Sequence, residues 1–492
     1  MASKFQWDEE ADYVVVGSGA AGASCAVVLA QGCADILLLE EGGWHRKSDF
    51  TETVYDAIAN LFRDFGFQTA HGQGFLAVVL EGCCVGGSTV INGAIVHRFP
   101  QEIHSQWCED KGIADGIPYA SIQDWSDRIE KDLSIRSNTG TTLPSLRVAT
   151  SLKELGWAYG PMKRNAPFCK QTGRCLQGCP SGGKLSMERS YIPQAMRAGC
   201  RIRARHKVLK LCMENNTAVG VLCKFEKRLK HIRARKAVIL AAGTTQTPLI
   251  MKRSGFTHPH IGRHFQCHLG VGIAGLFDRA CSEVQGFAQG LEIYEFQSQG
   301  IKLATQLTPL ELIAARSPLV GGELIELLKN SSKVGTWMGS IRSSAEGTVA
   351  PGFAGRPNIT FQPSVTDLER ARLALRKLSE LLIHLGATPI YPAVHGPQNI
   401  PTILKNRQDI ERLAQLPLDP KHFFFSIGHM FGTCRMGTDP KISVVDPQFK
   451  VHGTRGLYIV DASTFPSNTG VNPQHSIMAM AMHAADGILQ GH

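Results

Sequence analysis

Two short apolar runs flank a glycine-rich turn near the start of the chain. Residues 13–16 and 36–39 have the length and the continuous apolar character of strands buried in a parallel sheet. Between them, the small residues of 23–31 predict a helix that packs closely on those strands. The pattern therefore predicts a strand–helix–strand unit at the N-terminus.

Later segments repeat the alternation of strands and helices. A run rich in alanine and methionine follows Pro473, a residue suited to the first turn of a helix, and predicts a buried helix. The pattern of 367–385, with exposed arginine and lysine, predicts an amphipathic helix. The further predicted strands are 202–213, 218–225, 237–243, 358–363 and 457–460.

The turn after the first strand has the spacing of a dinucleotide-binding loop. Gly17 permits the tight turn, Gly19 lets the backbone approach a pyrophosphate, and Gly22 allows helix and strand to pack closely. The N-terminus of the following helix presents free N–H groups to the phosphates. Glu40, at the end of the second strand, is placed to accept a hydrogen bond from a ribose hydroxyl. The unit predicts a bound dinucleotide without distinguishing FAD from NAD.

Small residues dominate a second loop, 81–94. It contains Gly86, Gly87, Asn92 and Gly93, so its backbone can lie against a flat ligand. The alternative is a glycine-rich loop without a ligand. A further glycine, Gly243, ends the predicted strand at 237–243 and leads into a helix, which brings the chain over the same sheet a second time.

Composition narrows the class of protein. The 492 residues are 43% hydrophobic and 19% charged, which suits a globular protein with a large core. The net charge is +10, and its densest basic run, 224–236, lacks the aromatic interleaving of a nucleic-acid patch, so we expect a solvated strand pair. We find neither a membrane span nor a targeting segment, and we expect a cytoplasmic protein in which disulfides among the fourteen cysteines are rare.

The C-terminal segment carries the most specific motif. His429 begins the sequence His-Met-Phe-Gly-Thr, and Asn472 follows 43 positions later. Together with the first glycine turn, the second glycine loop and the Gly243 strand, this segment resembles the glucose–methanol–choline (GMC) family of FAD-dependent oxidoreductases. The four blocks occur in the order of that family, whereas the stretch between about 275 and 420 matches no pattern.

The resemblance implies an α/β fold with two parts. One is a Rossmann-like FAD-binding domain, a parallel sheet with flanking helices, expected over 1–110, 185–275 and 425–492. The other is an α+β substrate-binding domain with an antiparallel sheet, expected over 111–184 and 276–424.

The resemblance also implies where FAD would bind. Val208 would meet the adenine through its backbone, Asp461 would reach the ribityl or phosphate region, and Pro473 the flavin edge. Ile91 occupies the position at which some members carry a histidine linked to FAD, so we expect noncovalent FAD. The expected cofactor-binding residues are Gly17, Gly19, Gly22, Glu40, Gly86, Gly87, Asn92, Gly93, Val208, Gly243, Asp461 and Pro473.

The implied reaction is oxidation of an alcohol, a small-molecule substrate, to an aldehyde or ketone by hydride transfer to flavin N5. His429 is expected to remove the hydroxyl proton, because a neutral histidine titrates near the operating pH. Asn472 is expected to orient the substrate oxygen. His475 is a weaker candidate, and His97 has no supporting pattern.

Two questions about the reaction stay open. The electron acceptor is either oxygen or an external protein or quinone. The alternative to alcohol oxidation is a lyase that keeps FAD as a structural cofactor, like the hydroxynitrile lyase of this family. A nonenzymatic FAD-binding module is disfavoured because His429 and Asn472 are both kept.

Three cysteines, Cys169, Cys175 and Cys179, form a separate cluster. Their spacing resembles that of sugar dehydrogenases of this family that hold a three-iron (3Fe-4S) cluster. It also resembles cysteine-bearing members such as long-chain alcohol oxidases, for which no cluster is implied. Lys170 stands where the cluster-bearing enzymes have a second cysteine. An iron–sulfur cluster and a structural cysteine loop are both open, and a cluster would imply a dehydrogenase with an external electron acceptor.

Overall fold

The computed structural model describes residues 5–137, 143–284, 290–306 and 308–491. The strands in chain order are β1 Glu9–Val16, β2 Ile36–Leu39, β3 Thr69–Gly72, β4 Phe75–Val79, β5 Arg136–Ser137, β6 Tyr159–Pro161, β7 Lys163–Arg164, β8 Arg201–Arg203, β9 His206–Glu214, β10 Thr217–Phe225, β11 Arg228–Leu240, β12 Arg263–Leu276, β13 Leu291–Ile293, β14 Ile301–Thr305, β15 Val334–Arg342, β16 Gly347–Pro351, β17 Pro357–Thr360, β18 Ile390–Tyr391, β19 Phe425–Phe431 and β20 Leu457–Ile459. The α-helices are α1 Ala20–Gln31, α2 Val54–Leu61, α3 Gln101–Lys111, α4 Tyr119–Asp132, α5 Leu143–Glu154, α6 Tyr191–Arg197, α7 Gly243–Arg253, α8 Cys281–Val284, α9 Leu310–Arg316, α10 Gly321–Lys329, α11 Val365–His384, α12 Arg407–Leu413 and α13 Gln474–Gln490.

The smaller sheet has the order β8-β2-β1-β11-β10-β9, with β20 beside β11. Strands β8, β2, β1, β11 and β20 are mutually parallel, whereas β9 and β10 form an antiparallel extension. Helices α1 and α13 pack against each other, and their apolar side chains are buried. This parallel sheet with flanking helices confirms the predicted Rossmann-like part of the fold.

One predicted strand is divided in two. The stretch 202–213 contains β8, which pairs with β2, and β9, which pairs with β10. Arg205 lies between them with φ of 59°, so the chain turns there and changes its neighbour in the sheet. The basic run lies along the β10–β11 hairpin, as predicted.

The larger sheet is mainly antiparallel and has the order β16-β17-β3-β4-β19-β12-β15-β14-β13-β6. Helix α11 covers β12 and β15, and its N-terminus is capped by Ser364, whose hydroxyl accepts from the Asp367 N–H. The predicted domain boundaries stay a prediction. Four strands that lie wholly or almost wholly within the ranges expected for the FAD-binding domain, β3, β4, β12 and β19, belong to this larger sheet.

Over the described ranges, we find no helix whose length and apolar character would let it span a bilayer.

Candidate active site

Two adjoining cavities lie between the sheets. The first, of about 180 Å³, lies at the carboxyl ends of β1, β2 and β11, where open parallel sheets bind ligands. The second, of about 260 Å³, extends from it toward the larger sheet. His429, Pro473 and Ile477 line both cavities, so the two spaces meet at the start of α13.

The first glycine turn closes one side of the smaller cavity. Gly17 has φ of +102°, and a Cβ built on it would lie 2.3 Å from the carbonyl oxygen of Ala241. A Cβ on Gly22 would lie 1.8 Å from the Gly17 oxygen, because helix and strand are in close contact. Gly19 differs: the nearest atom to its hypothetical Cβ is the Gly87 Cα, 4.0 Å away. Gly19 therefore faces space that a ligand can enter.

Glu40 is buried beside this turn. Its carboxylate accepts hydrogen bonds from the Ser18 N–H at 3.0 Å, the Ser18 hydroxyl at 2.6 Å and the Gly42 N–H at 2.9 Å. Burial raises the pKa of Glu40 against the opposing effect of these donors. The Ser18 hydroxyl also accepts from the Gly86 N–H at 3.0 Å, so Glu40 holds the two glycine loops together.

The second glycine loop lies directly against the first. A Cβ on Gly87 would lie 2.9 Å from the Gly19 Cα. Asn92 and Gly93 line the larger cavity, and Arg164 donates to the Gly93 carbonyl oxygen at 3.0 Å. The two loops thus form a continuous backbone surface shared by both cavities.

Asp461, which follows β20, organises the turn at the start of α7. It accepts from the Gly243 N–H at 2.9 Å, the Thr247 hydroxyl at 2.6 Å and the Ser463 N–H at 2.8 Å. Burial raises the pKa of Asp461, although these donors favour its ionised form. Asp461, Gly243 and Val208 line the smaller cavity, and their contacts with FAD stay a prediction.

His429 and Asn472 meet where the cavities join. The Asn472 Nδ2 lies 3.3 Å from the His429 Nε2, and both side chains line the larger cavity. Burial, together with the nearby Lys302 and His97, lowers the pKa of His429 to about 3. His429 is therefore neutral at pH 7, but its lowered pKa makes it a weaker base than the ordinary histidine expected from the sequence.

Sequence reasoning missed a charged group beside this pair. The Lys302 Nζ lies 2.8 Å from the Glu292 Oε2, 2.9 Å from the His97 Nε2 and 2.8 Å from the Asn472 Oδ1. The Lys302 and Glu292 side chains are buried, and His97 and Lys302 lower the pKa of Glu292 to about 2 against the effect of burial. A lysine within the apolar strand Ile-Lys-Leu-Ala-Thr was the available signal, since buried lysines are rare unless paired.

His268 was also missed. Its Nδ1 lies 3.0 Å from the His429 Nδ1, and its Nε2 accepts from the Gly470 N–H at 3.1 Å. His475, the weaker candidate of the sequence, is buried on α13 and lies outside the lining of both cavities.

In the part of the chain that the structure describes, no disulfide joins Cys169, Cys175 or Cys179. Arg164 lies 3.8 Å from the Cys169 Sγ and 3.4 Å from the Cys175 Sγ. Among the residues that the structure describes, no group of three or more histidine, cysteine or carboxylate side chains is arranged to hold a metal ion. The structure therefore gives no support to the iron–sulfur alternative at Cys169, Cys175 and Cys179.

Comparison with known proteins gives consistent matches. Two GMC oxidoreductase family models match residues 11–270 and 338–481. An uncharacterized GMC-type oxidoreductase of Mycobacterium tuberculosis is 32% identical over 486 residues, covering 97% of this chain and 75% of the relative. A long-chain-alcohol oxidase of Arabidopsis thaliana is 24% identical over 512 residues, covering 96% of this chain and 66% of the relative.

Solved structures match over almost the full length. Pyridoxine 4-oxidase from Mesorbium loti has a TM-score of 0.72 at 17% identity, covering 98% of this chain and 100% of that one. A formate oxidase variant from Aspergillus oryzae has a TM-score of 0.75 at 16% identity, covering 99% of each chain. At these identities the likeness shows the fold.

Proposed function

The chain belongs to the GMC oxidoreductase family, and from this premise we propose that it oxidises an alcohol to an aldehyde or ketone, with His429 and Asn472 at the substrate oxygen. The observation that carries the proposal is the pair itself. A neutral histidine and an amide face each other 3.3 Å apart where the two cavities join.

The residues of the smaller cavity fit FAD. Gly19 faces open space at the N-terminus of α1, where unpaired N–H groups attract a pyrophosphate, and Glu40 and Val208 line the end expected for adenosine. When bound, FAD supplies the acceptor for the hydride that leaves the alcohol carbon. Ile91 is buried in the larger cavity and has no nucleophilic atom, which supports noncovalent binding.

His429 and Asn472 act differently on the substrate hydroxyl. The O–H bond breaks as its proton moves to the His429 Nε2, while hydride leaves the carbon that bears this oxygen and a C=O bond forms. The Asn472 amide N–H donates to the oxygen as negative charge develops, an interaction worth about 2–4 kcal/mol in comparable sites.

The position of the proton on the His429 ring decides whether Nε2 can accept another one. To accept at Nε2, neutral His429 must carry its own proton at Nδ1, from which it donates a hydrogen bond to the His268 Nδ1. The Gly470 N–H contact favours the His268 proton at Nδ1 and so the His429 proton at Nε2, whereas the Asn472 Nδ2 contact favours an unprotonated His429 Nε2. We propose that proton acceptance at Nε2 uses the second of these tautomers, in which His429 donates from Nδ1 to His268 and the Gly470 bond is lost.

Stopped-flow reduction of the flavin by a panel of alcohols tests the proposal. Replacing His429 with Ala should slow flavin reduction about 10²- to 10⁴-fold without releasing FAD. The matched control is His475→Ala, which removes a buried histidine outside both cavities. Reduction by His429→Ala at the wild-type rate would exclude His429 as the base. A flavin that no alcohol reduces in the wild-type protein would favour the lyase alternative.

A further inference from the structure

The amide of Asn472 has two possible orientations, and they differ in chemistry. Rotation by 180° exchanges its oxygen and its NH₂ group. Only with Nδ2 toward His429 does the amide present a donor to a substrate oxygen next to that histidine. With the oxygen there instead, it would repel the charge that develops on the substrate oxygen.

The Lys302 ammonium distinguishes these orientations. Lysine has three donors and no acceptor, so the Asn472 atom that it contacts at 2.8 Å is the amide oxygen. A flipped amide would place the NH₂ group against the ammonium, two donors in contact within a buried site. The contact therefore directs Nδ2 toward the His429 Nε2.

Glu292 and His97 hold Lys302 in place. The ammonium lies 2.8 Å from the Glu292 Oε2, and the same carboxylate oxygen lies 2.8 Å from the His97 Nε2. The Lys302 and Glu292 side chains are 10% and 4% exposed, so solvent does not compete with the pairing. A rigid ammonium in this position selects one amide orientation, whereas a mobile surface lysine would not.

We infer that Lys302, held by Glu292 and His97, is a positioning residue that fixes the Asn472 amide with its NH₂ group toward the substrate oxygen. This inference rests on the proposed function of His429 and Asn472. It assigns Lys302, which itself lines the larger cavity, a role exerted through Asn472.

A double-mutant cycle between Lys302 and Asn472 tests the inference. The rate of flavin reduction is measured by stopped flow at saturating concentration of the alcohol that reduces the wild type fastest, on a pH plateau. Lys302→Met should slow reduction about 10-fold in the native background. In the Asn472→Ala background, which has no amide to orient, the same substitution should slow it less than 2-fold. Equal losses in the two backgrounds would overturn the inference, because Lys302 would then act independently of Asn472.

Two further variants separate positioning from damage to the fold. Lys302→Met leaves the Glu292 carboxylate buried beside His97 without the ammonium, so Lys302→Met combined with Glu292→Gln provides a neutral version of the same test. Lys377→Met is the control, because it breaks a lysine–glutamate pair of 2.8 Å on α11 outside both cavities. It should leave the rate unchanged, and a comparable loss in this variant would also overturn the inference. If the flavin of His429→Ala is reduced at the normal rate, the proposed function fails. If His429→Ala is inactive and Lys302→Met causes equal losses in the two Asn472 backgrounds, only the role of Lys302 is rejected.

Discussion

Replacing Gly19 with Ala should weaken FAD binding without destabilising the protein. Gly19 is the N-cap of α1 with φ of −69°, a conformation that alanine adopts freely. The added methyl group would meet no protein atom closer than 4.0 Å, but it would occupy space from which a pyrophosphate approaches the helix N-terminus. Overpacking by one methyl costs about 1–3 kcal/mol, which corresponds to a roughly 5- to 150-fold weaker FAD affinity.

The assay compares two variants of the same loop. Apoprotein is titrated with FAD by flavin fluorescence, and the melting temperature of the apoprotein is measured separately. Gly22→Ala is the matched control, because its methyl would lie 1.8 Å from the Gly17 oxygen and should lower the melting temperature itself. Wild-type FAD affinity in Gly19→Ala would refute the assignment of this turn to the pyrophosphate. A lower melting temperature of that apoprotein would refute the statement that Gly19 faces free space.

Three further predictions concern stability and cofactor attachment. Arg63 and Lys207 lower the pKa of Glu41 to about 2 from 4.5 despite burial, so the stability that ionised Glu41 contributes is present above pH 4.5 and lost toward pH 2. Glu41→Gln should therefore lower the melting temperature at pH 7 and reduce the fall in melting temperature between pH 7 and pH 3. A pH dependence equal to that of the wild type would contradict this. Asp461→Ala leaves the donors of Gly243, Thr247 and Ser463 without their acceptor and should lower the free energy of unfolding in urea by at least about 2 kcal/mol. The control, Asp278→Ala at an exposed position, should leave it almost unchanged. Similar losses in the two variants would contradict the role of Asp461. Acid precipitation should release all flavin into the supernatant, and a yellow pellet would show covalent attachment.

The first unit of the fold was predictable because its signals are local. The apolar strands, the glycines at 17, 19 and 22 and the acid at position 40 follow one another within a single βαβ unit. The strand at 202–213 was predicted without its division, because a run of alternating residues does not reveal that Arg205 adopts positive φ.

The surroundings of His429 and Asn472 could not be predicted in the same way. His268, Glu292 and Lys302 are brought together by the pairing of β12, β13 and β14 in the larger sheet, and His97 reaches them from a distant loop. Strand β12 places His268 opposite His429 on β19, a register that depends on contacts 161 residues apart. The buried lysine was the visible clue, but its partner Glu292 lies on a different strand, β13.

The most direct test of the account is the visible spectrum of the purified protein under anaerobic conditions, before and after addition of primary, secondary and sugar alcohols. The account predicts flavin absorbance that bleaches with one class of alcohol and yields one carbonyl product per flavin. It also predicts that His429→Ala keeps its flavin and bleaches at least about 10²-fold more slowly. Flavin absorbance that no alcohol changes, or bleaching that does not depend on His429, would contradict the central claim.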